Sequence, residues 1–108
     1  MRRFGQVIGV RPETYDEYVR AHAAVWPGVL ARIAECNIRN YSIYAWKGDT
    51  LFAYFEYVGD DFEADAARMA ADPETQRWWA LTDAMQEPLP DRERGSWWKT
   101  VPEIFHTD

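Results

Sequence analysis

Only one cysteine, Cys36, occurs among the 108 residues. A single cysteine cannot form an intramolecular disulfide, and this favours a reducing compartment. The sequence also lacks any apolar run near the roughly 18 residues of a membrane span. Its start, Met1–Val7, carries no apolar stretch long enough for a signal peptide. We therefore expect a cytoplasmic protein with no membrane association.

Positive charge is scarce as well. The 12 lysines and arginines stand against 18 aspartates and glutamates, a formal net charge of −6. Nucleic acids and anionic membranes bind clustered positive charge, so both classes of partner are excluded. The sequence has no glycine-rich phosphate loop. Because no interdomain linker is visible, residues 1–108 are expected to form a single domain.

Aromatic residues, in contrast, are abundant: 6 Trp, 6 Tyr and 5 Phe make up 16% of the chain. A domain of this size has a small interior, so it has limited room for buried rings. Tyr and Trp suit places that are apolar on one side and polar on the other. Some of these rings are therefore predicted to line a ligand pocket or a protein interface.

Hydrophobic periodicity and turn residues predict the helices and strands. One apolar helical stripe is divided by Pro27 into two helices, and Lys47-Gly48-Asp49 forms a hairpin turn between two strands. Asp60, three residues before a glutamate, predicts a capped helix start, and Asp72 predicts another. In chain order the predicted elements are strand Phe4–Val10, helices Thr14–Val25 and Pro27–Cys36, strands Asn40–Trp46 and Thr50–Tyr57, helices Asp60–Ala71 and Asp72–Met85, and strand Val101–His106.

The predicted β-α-β-β-α-β order is the split βαβ or ferredoxin-like plan, an α+β fold whose helices cover one face of the sheet. Strand alternation would leave large aromatic side chains in water on the other face: Tyr44, Trp46, Phe52 or Tyr54. Such a patch is uncommon on a monomer, and packing two sheets across a twofold axis covers it. We therefore predict a homodimer.

Tyr18 and His22 lie four residues apart, so their side chains occupy one helix face, one turn from each other. His22 is a candidate catalytic residue because imidazole gives and takes protons near neutral pH. The alternative is a histidine packed between helix and sheet and satisfied by one hydrogen bond. His106 is the only other histidine, and the sequence predicts no metal site.

Trp78 and Trp79 are neighbours on a predicted helix, where successive side chains point about 100° apart. One indole can enter the core while the other faces a cleft or a partner, although two core tryptophans give the same pattern. Aromatic rings with a few hydroxyl or imidazole groups suit a small sugar. Asp83 lies four residues after Trp79 and is either a supporting residue for a ligand hydroxyl or a solvated carboxylate.

Together these motifs resemble the L-rhamnose mutarotase family, in the same order and over nearly the whole chain. The resemblance rests on Glu17-Tyr18 with His22, Trp26-Pro27, Asn40-Tyr41-Ser42-Ile43-Tyr44, Gln76-Arg77-Trp78-Trp79, Thr82-Asp83 and Glu103-Ile104-Phe105. Relatives that act on L-fucose are similar in fold and motifs. The chain departs from the family pattern at Ala23-Ala24, where rhamnose members have Asn-Pro, and at Trp97-Trp98 with the polar loop before them.

The resemblance implies a dimeric α+β barrel that interconverts the α and β anomers of a 6-deoxy-L-hexose, L-rhamnose or L-fucose, without a metal or cofactor. It makes His22 the proton donor and assigns sugar binding to Tyr18, Tyr41, Trp78 and Trp79. Ring opening and ring closing need opposite proton transfers, which one imidazole can perform. The expected base at the anomeric hydroxyl is a water molecule or Asp83.

Two other functions fit the same residues. Small dimeric α+β barrels also include haem-degrading and cofactor-free monooxygenases, and an aromatic pocket with one histidine suits haem. The third possibility is a non-catalytic small-sugar-binding module in which His22 and the tryptophans only pack. The ordered set of motifs favours the mutarotase over both.

Overall fold

The computed structural model describes all 108 residues, Met1–Asp108. Its elements follow in the order β1 (Arg2–Val10), a 3₁₀ turn (Pro12–Thr14), α1 (Tyr15–His22), α2 (Pro27–Glu35), β2 (Ile38–Trp46), β3 (Thr50–Tyr57), α3 (Phe62–Ala71), α4 (Pro73–Asp83), β4 (Gln86–Glu87) and β5 (Lys99–Val101). None of the α-helices combines the length and the apolar character needed to cross a membrane.

The strands form one antiparallel sheet in the order β2-β3-β1-β4, and β5 also pairs with β1. β4 pairs with the end of β1, at Gly9 and Val10, whereas β5 pairs with Gly5–Val7. The fourth strand of the ferredoxin-like plan is thus divided into two pieces along β1, with residues 88–98 between them. The predicted α+β, ferredoxin-like fold is confirmed.

Gly9 allows β4 to come close to β1. A Cβ atom placed on Gly9 would lie 2.7 Å from the backbone carbonyl oxygen of Glu87. That is closer than a carbon and an oxygen can approach, so any other residue at this position would push β4 away. β4 in turn places Gln86 beside the core.

The core lies on one face of the sheet. Alternate residues of β1 and β3 are buried there: Ile8, Val10, Leu51, Ala53, Phe55 and Tyr57. Tyr18 of α1 and Met85 pack against Ile8, Val10 and Leu51. Burial of these apolar surfaces, at about 25 cal/mol per Å², holds the helices on this face.

Three predicted helix boundaries are wrong. α4 ends at Asp83 rather than Met85, because Met85 already lies in the turn that leads into β4. The cap of α3 is Asp61 rather than Asp60, because the Asp61 side chain accepts a hydrogen bond from the backbone N–H of Ala64. The backbone N–H of Asp61 donates to the hydroxyl of Tyr57, 2.9 Å away, and this bond helps to fix the residue before the helix. The first helix ends at His22 rather than Val25, since Trp26 precedes a proline and is extended.

The predicted last strand, Val101–His106, is also wrong. β5 covers Lys99–Val101, and residues 102–106 lie outside any strand. Pro102 has no N–H to donate to a ladder, so pairing stops before it. The side chains of Ile104 and Phe105 are consequently 94% and 78% exposed.

The face of the sheet opposite the core has no helix over it. Tyr44, Trp46 and Phe52 are 65%, 57% and 43% exposed, and Tyr54 is half-buried beside them. We call this surface of Tyr44, Trp46, Phe52 and Tyr54 the open face. Tyr44 and Phe52 lie directly opposite each other on β2 and β3, so their rings form a continuous apolar strip.

Candidate active site

One cavity of about 780 Å³ is lined by the helices and by the core-facing residues of the sheet. Small-molecule sites commonly have volumes of about 300–1,000 Å³. Each of the six residues singled out in the sequence lines this cavity: Tyr18, His22, Tyr41, Trp78, Trp79 and Asp83. They come from α1, β2 and α4, so the fold gathers side chains that are distant in the chain.

His22 is the last residue of α1, and its ring orientation is fixed by the preceding turn. Nδ1 lies 2.8 Å from the backbone carbonyl oxygen of Tyr18. A carbonyl oxygen only accepts hydrogen bonds, so Nδ1 carries a proton in both the neutral and the charged imidazole. Nε2 is therefore the nitrogen that can gain and lose a proton.

Aromatic contacts hold the imidazole of His22 in place. Its ring stacks on the ring of Tyr18 with centroids 4.2 Å apart, and it meets the ring of Trp78 edge to face at 5.3 Å. Trp78 in turn packs edge to face against Trp26 at 5.2 Å. Because each ring is bounded by the next, the histidine has little freedom to leave the cavity wall.

The hydroxyl of Tyr18 is buried but polar. Tyr18 is 3% exposed, and its hydroxyl accepts a hydrogen bond from Nε2 of Gln86 over 3.0 Å. Burial raises the pKa of Tyr18, so the phenol keeps its proton at physiological pH. The cavity therefore contains a neutral hydroxyl next to the imidazole.

The adjacent tryptophans of α4 differ in accessibility. Trp78 is 6% exposed, whereas Trp79 is 38% exposed. Successive helical side chains diverge, so Trp78 enters the packed wall while Trp79 keeps a larger accessible surface. Both indoles line the cavity and offer apolar surface to a ligand.

A β-bulge in β2 directs Tyr41 toward the cavity. Arg39 pairs with Glu56 and Ser42 with Tyr54, so two residues of β2 face one residue of β3 at this point. Asn40, one of the two, has a φ of 52°, in the left-handed region. The extra residue turns Tyr41 to the core side, where its ring lies 5.6 Å from that of Phe55.

Asp83 closes α4 as a half-buried carboxylate that lines the cavity. Burial raises the pKa of Asp83, which makes the carboxylate a stronger base than an exposed one. No group of three or more His, Cys, Asp or Glu side chains is placed to hold a metal ion.

Gln86 and Trp97 also line the cavity, and the sequence predicted neither of them as a site residue. Gln86 is 3% exposed and bridges two aromatic residues: its Nε2 donates to Tyr18, and its Oε1 accepts from Nε1 of Trp97 over 2.8 Å. An isolated glutamine between a methionine and a glutamate carries no local signal. The tryptophan doublet was a usable signal, since paired indoles in a polar loop require a surface to pack on.

Comparison with known proteins gives a consistent family match. A family model described as L-rhamnose mutarotase matches residues 3–107. The L-rhamnose mutarotase of Ligilactobacillus salivarius is 36% identical over 110 residues, covering 98% of this chain and 97% of the relative. The L-fucose mutarotase of Xanthomonas campestris is 37% identical over 93 residues, covering 82% and 73%. A solved L-rhamnose mutarotase from Formosa agariphila has the same fold, with a TM-score of 0.79, 19% identity and full coverage of both chains.

Proposed function

Since the chain belongs to the L-rhamnose mutarotase family, we propose that this mutarotase interconverts the α and β anomers of a 6-deoxy-L-hexose in the cavity lined by His22 and Tyr18. L-rhamnose and L-fucose are the proposed substrates, because one relative named L-rhamnose mutarotase and another named L-fucose mutarotase each align with most of the chain. The reaction is an isomerisation in which no atom is gained or lost. The observation that supports it best is the imidazole of His22, held at the cavity wall with Nε2 left free for proton transfer.

His22 is the proposed acid–base residue. In the charged imidazole, Nδ1–H donates to the carbonyl of Tyr18, and Nε2–H gives its proton to the ring oxygen of the sugar. The bond between the ring oxygen and the anomeric carbon breaks while a base removes the proton of the anomeric hydroxyl. The products are neutral imidazole, the protonated base and the open-chain aldehyde.

Ring closure reverses these transfers. Rotation about the bond next to the aldehyde carbon presents the other face of the carbonyl to the sugar hydroxyl. Neutral Nε2 then takes the proton of that hydroxyl, and the protonated base returns a proton to the aldehyde oxygen. Both groups end in their starting states, so one histidine serves both directions.

The base at the anomeric hydroxyl is a water molecule or Asp83. Asp83 lines the same cavity, and its raised pKa would let it hold a proton during the open-chain stage. Asp83→Asn separates the two: a loss of exchange similar to that of a histidine variant assigns the base to Asp83, and near-normal exchange assigns it to water.

The aromatic residues are proposed to bind the sugar. Trp78 and Trp79 offer indole surface for the C–H face of the ring and for the 6-methyl group. Tyr18 and Tyr41 carry hydroxyls at the cavity wall, which suit hydrogen bonds to the sugar hydroxyls. This mixture of flat apolar surface and a few polar groups is typical of small-sugar sites.

The test is NMR exchange between the anomeric signals of L-rhamnose and of L-fucose. The protein is expected to raise the exchange rate above that of buffer for at least one sugar. His22→Asn should reduce the catalysed rate by about 10²–10⁴-fold, the contribution of a positioned acid–base group. His106→Asn is the matched control, because His106 lies in the C-terminal segment away from the cavity lining, and should keep the full rate.

A protein that binds the sugar without raising exchange would contradict this proposal and favour the non-catalytic module. Binding is measured by the thermal unfolding midpoint with and without L-rhamnose. A folded His22→Asn variant with full exchange would remove the histidine from the reaction.

We further propose that the protein is a homodimer paired through the open face. Two charged side chains that border this face already have partners within the chain: Glu56 accepts hydrogen bonds from Tyr54 and Asn40, both over 2.7 Å, and Arg3 pairs with Glu103 at 2.7 Å. Symmetric packing of two open faces would therefore bury aromatic rings while Glu56 and Arg3 keep these bonds.

Sedimentation velocity at several concentrations tests the dimer. The unaltered protein is expected to sediment as a species of about twice 12.7 kDa. Phe52→Lys places a charge on the open face and should shift the protein to monomer, whereas Leu81→Lys, at an exposed apolar position of α4, should not. A monomer at every concentration would contradict the proposal.

The proposed location is the cytoplasm. Cys36 is free and buried, as fits a reducing compartment. Cell fractionation should place the protein with cytoplasmic enzymes, and recovery in a secreted or membrane fraction would contradict this.

A further inference from the structure

A chain of hydrogen bonds with a fixed direction runs from Trp97 to the hydroxyl of Tyr18. The indole Nε1–H of Trp97 can only donate, so the Gln86 atom 2.8 Å away must be the amide oxygen. The amide nitrogen of Gln86 is thereby directed at Tyr18, 3.0 Å away, and it can only donate. The hydroxyl of Tyr18 accepts this bond, so its own proton is left for another acceptor.

The loop that carries Trp97 is itself braced. The guanidinium of Arg92 donates to the backbone carbonyls of Ser96 and Leu89, over 2.8 and 3.1 Å, and lies 5.9 Å from the centroid of the Trp97 ring. Lys99 forms an ion pair with Glu93 at 3.0 Å across the same loop. These contacts hold the indole at the point where it can orient Gln86.

We propose that Trp97 and Gln86 are positioning residues that hold the hydroxyl of Tyr18 as a hydrogen-bond donor to the sugar in the cavity. This inference rests on the proposed function. It adds a selection rule to that function. The site then selects a sugar that presents an accepting oxygen, either the ring oxygen or a hydroxyl oxygen, to Tyr18. A ligand group that can only donate is rejected there, since the Tyr18 hydroxyl has already accepted from Gln86.

The charge state of Tyr18 agrees with this role. Burial keeps the phenol neutral, so a proton is always available to donate. Gln86 is 3% exposed, so water has little opportunity to replace either of its bonds. The direction of the chain is therefore set by the protein rather than by solvent.

Gln86→Glu is the sharpest test, because it keeps the shape and reverses one bond. A carboxylate accepts hydrogen bonds from both Trp97 and Tyr18, so the Tyr18 proton turns away from the sugar. The lone pairs of the Tyr18 hydroxyl then face the sugar oxygen and repel it. We expect kcat/KM for L-rhamnose exchange to fall about 10–100-fold, mainly through KM. Gln86→Met removes both bonds but leaves Tyr18 free to donate, and a loss of only about 2–5-fold is expected.

Two further variants isolate the role of orientation. In a Tyr18→Phe background the difference between Gln86→Glu and Gln86→Met should vanish, because no hydroxyl remains to be oriented. Trp97→Phe keeps a ring but frees the amide of Gln86 to rotate, so a rise in KM of about 2–10-fold is expected. Gln76→Glu, the same change at an exposed position outside the cavity lining, is the control. It breaks the bond from the Gln76 amide to the backbone carbonyl of Ala70 but should keep the full kcat/KM.

The outcomes separate this inference from the function on which it rests. An unaltered protein that fails to accelerate exchange of either sugar overturns the proposed function and this inference with it. An active protein in which Gln86→Met is as damaging as Gln86→Glu, both folded by their unfolding midpoints, overturns the inference alone. If Gln86→Glu does not fold, Trp97→Phe decides, and an unchanged KM in that variant overturns the inference.

Discussion

Removing the hydroxyl of Tyr18 should destabilise the fold by a predictable amount. Tyr18→Phe leaves the amide nitrogen of Gln86 without its acceptor in a residue that is 3% exposed. Leaving a buried donor unsatisfied costs about 1–3 kcal/mol. For a domain of about 100 residues this corresponds to a fall of roughly 5–20 °C in the thermal unfolding midpoint.

The assay is calorimetry at fixed protein concentration, with Tyr15→Phe as control. Tyr15 lies in α1, outside the open face, and its hydroxyl makes no hydrogen bond within the chain, so losing it should leave the midpoint nearly unchanged. The double variant Tyr18→Phe/Gln86→Met should recover most of the loss, because removing both partners of a buried bond is nearly neutral. Trp97, at 37% exposure, can then donate to water. An unchanged midpoint in Tyr18→Phe, or a strictly additive double variant, would refute the reasoning.

Other substitutions probe the cavity wall and the helix starts. Trp78→Ala should lower the free energy of unfolding by about 3–5 kcal/mol, since the indole is 6% exposed. Trp79→Ala should lower it by less, because that indole is 38% exposed, and should weaken L-rhamnose binding in a fluorescence titration. The Asp72 side chain caps α4 by accepting hydrogen bonds from the backbone N–H and the hydroxyl of Thr75. Asp72→Ala removes this cap and should lower the free energy of unfolding, measured in urea, by about 1–2 kcal/mol. These bonds and the guanidinium of Arg32 hold the pKa of Asp72 below its ordinary value, so this stabilisation is complete above about pH 4 and is lost as pH falls through the lowered pKa. Asp72→Asn keeps a cap but cannot ionise, so it should lose less stability in acid than the unaltered protein. The same dependence of stability on pH in both proteins would contradict the role of the Asp72 carboxylate.

Most of the fold could be predicted because its signals are local. The helical stripe divided at Pro27 and the hairpin turn at residues 47–49 each depend on neighbours a few positions apart. β4 escaped prediction because a strand of two residues shows no periodicity, and its pairing depends on the space at Gly9. The last strand is shorter than its composition predicts. Residues 101–106 have a strand-like composition, but Pro102 lacks the backbone N–H that pairing requires, and β5 ends at Val101.

The candidate site also has a part with local sequence signals and a part without them. The spacing of Tyr18 and His22 placed both side chains on one helix face, and the structure stacks their rings. The role of Gln86 depends on Tyr18, 68 residues earlier, and on Trp97, 11 residues later, and no local pattern links these three. Long-range polar contacts of this kind become visible only when the fold has brought the residues together.

The imidazole of His22 is proposed to move the proton in anomer exchange, and chemical rescue measures this directly. His22→Ala leaves a space at the cavity wall, and imidazole added to this variant should restore L-rhamnose anomer exchange with saturation. The rate must exceed that of the same imidazole solution without protein, because imidazole alone accelerates the reaction. Saturable rescue is the predicted result. A variant that still binds the sugar but gains nothing from imidazole beyond the protein-free rate, or one that exchanges at the full rate without it, would contradict the account.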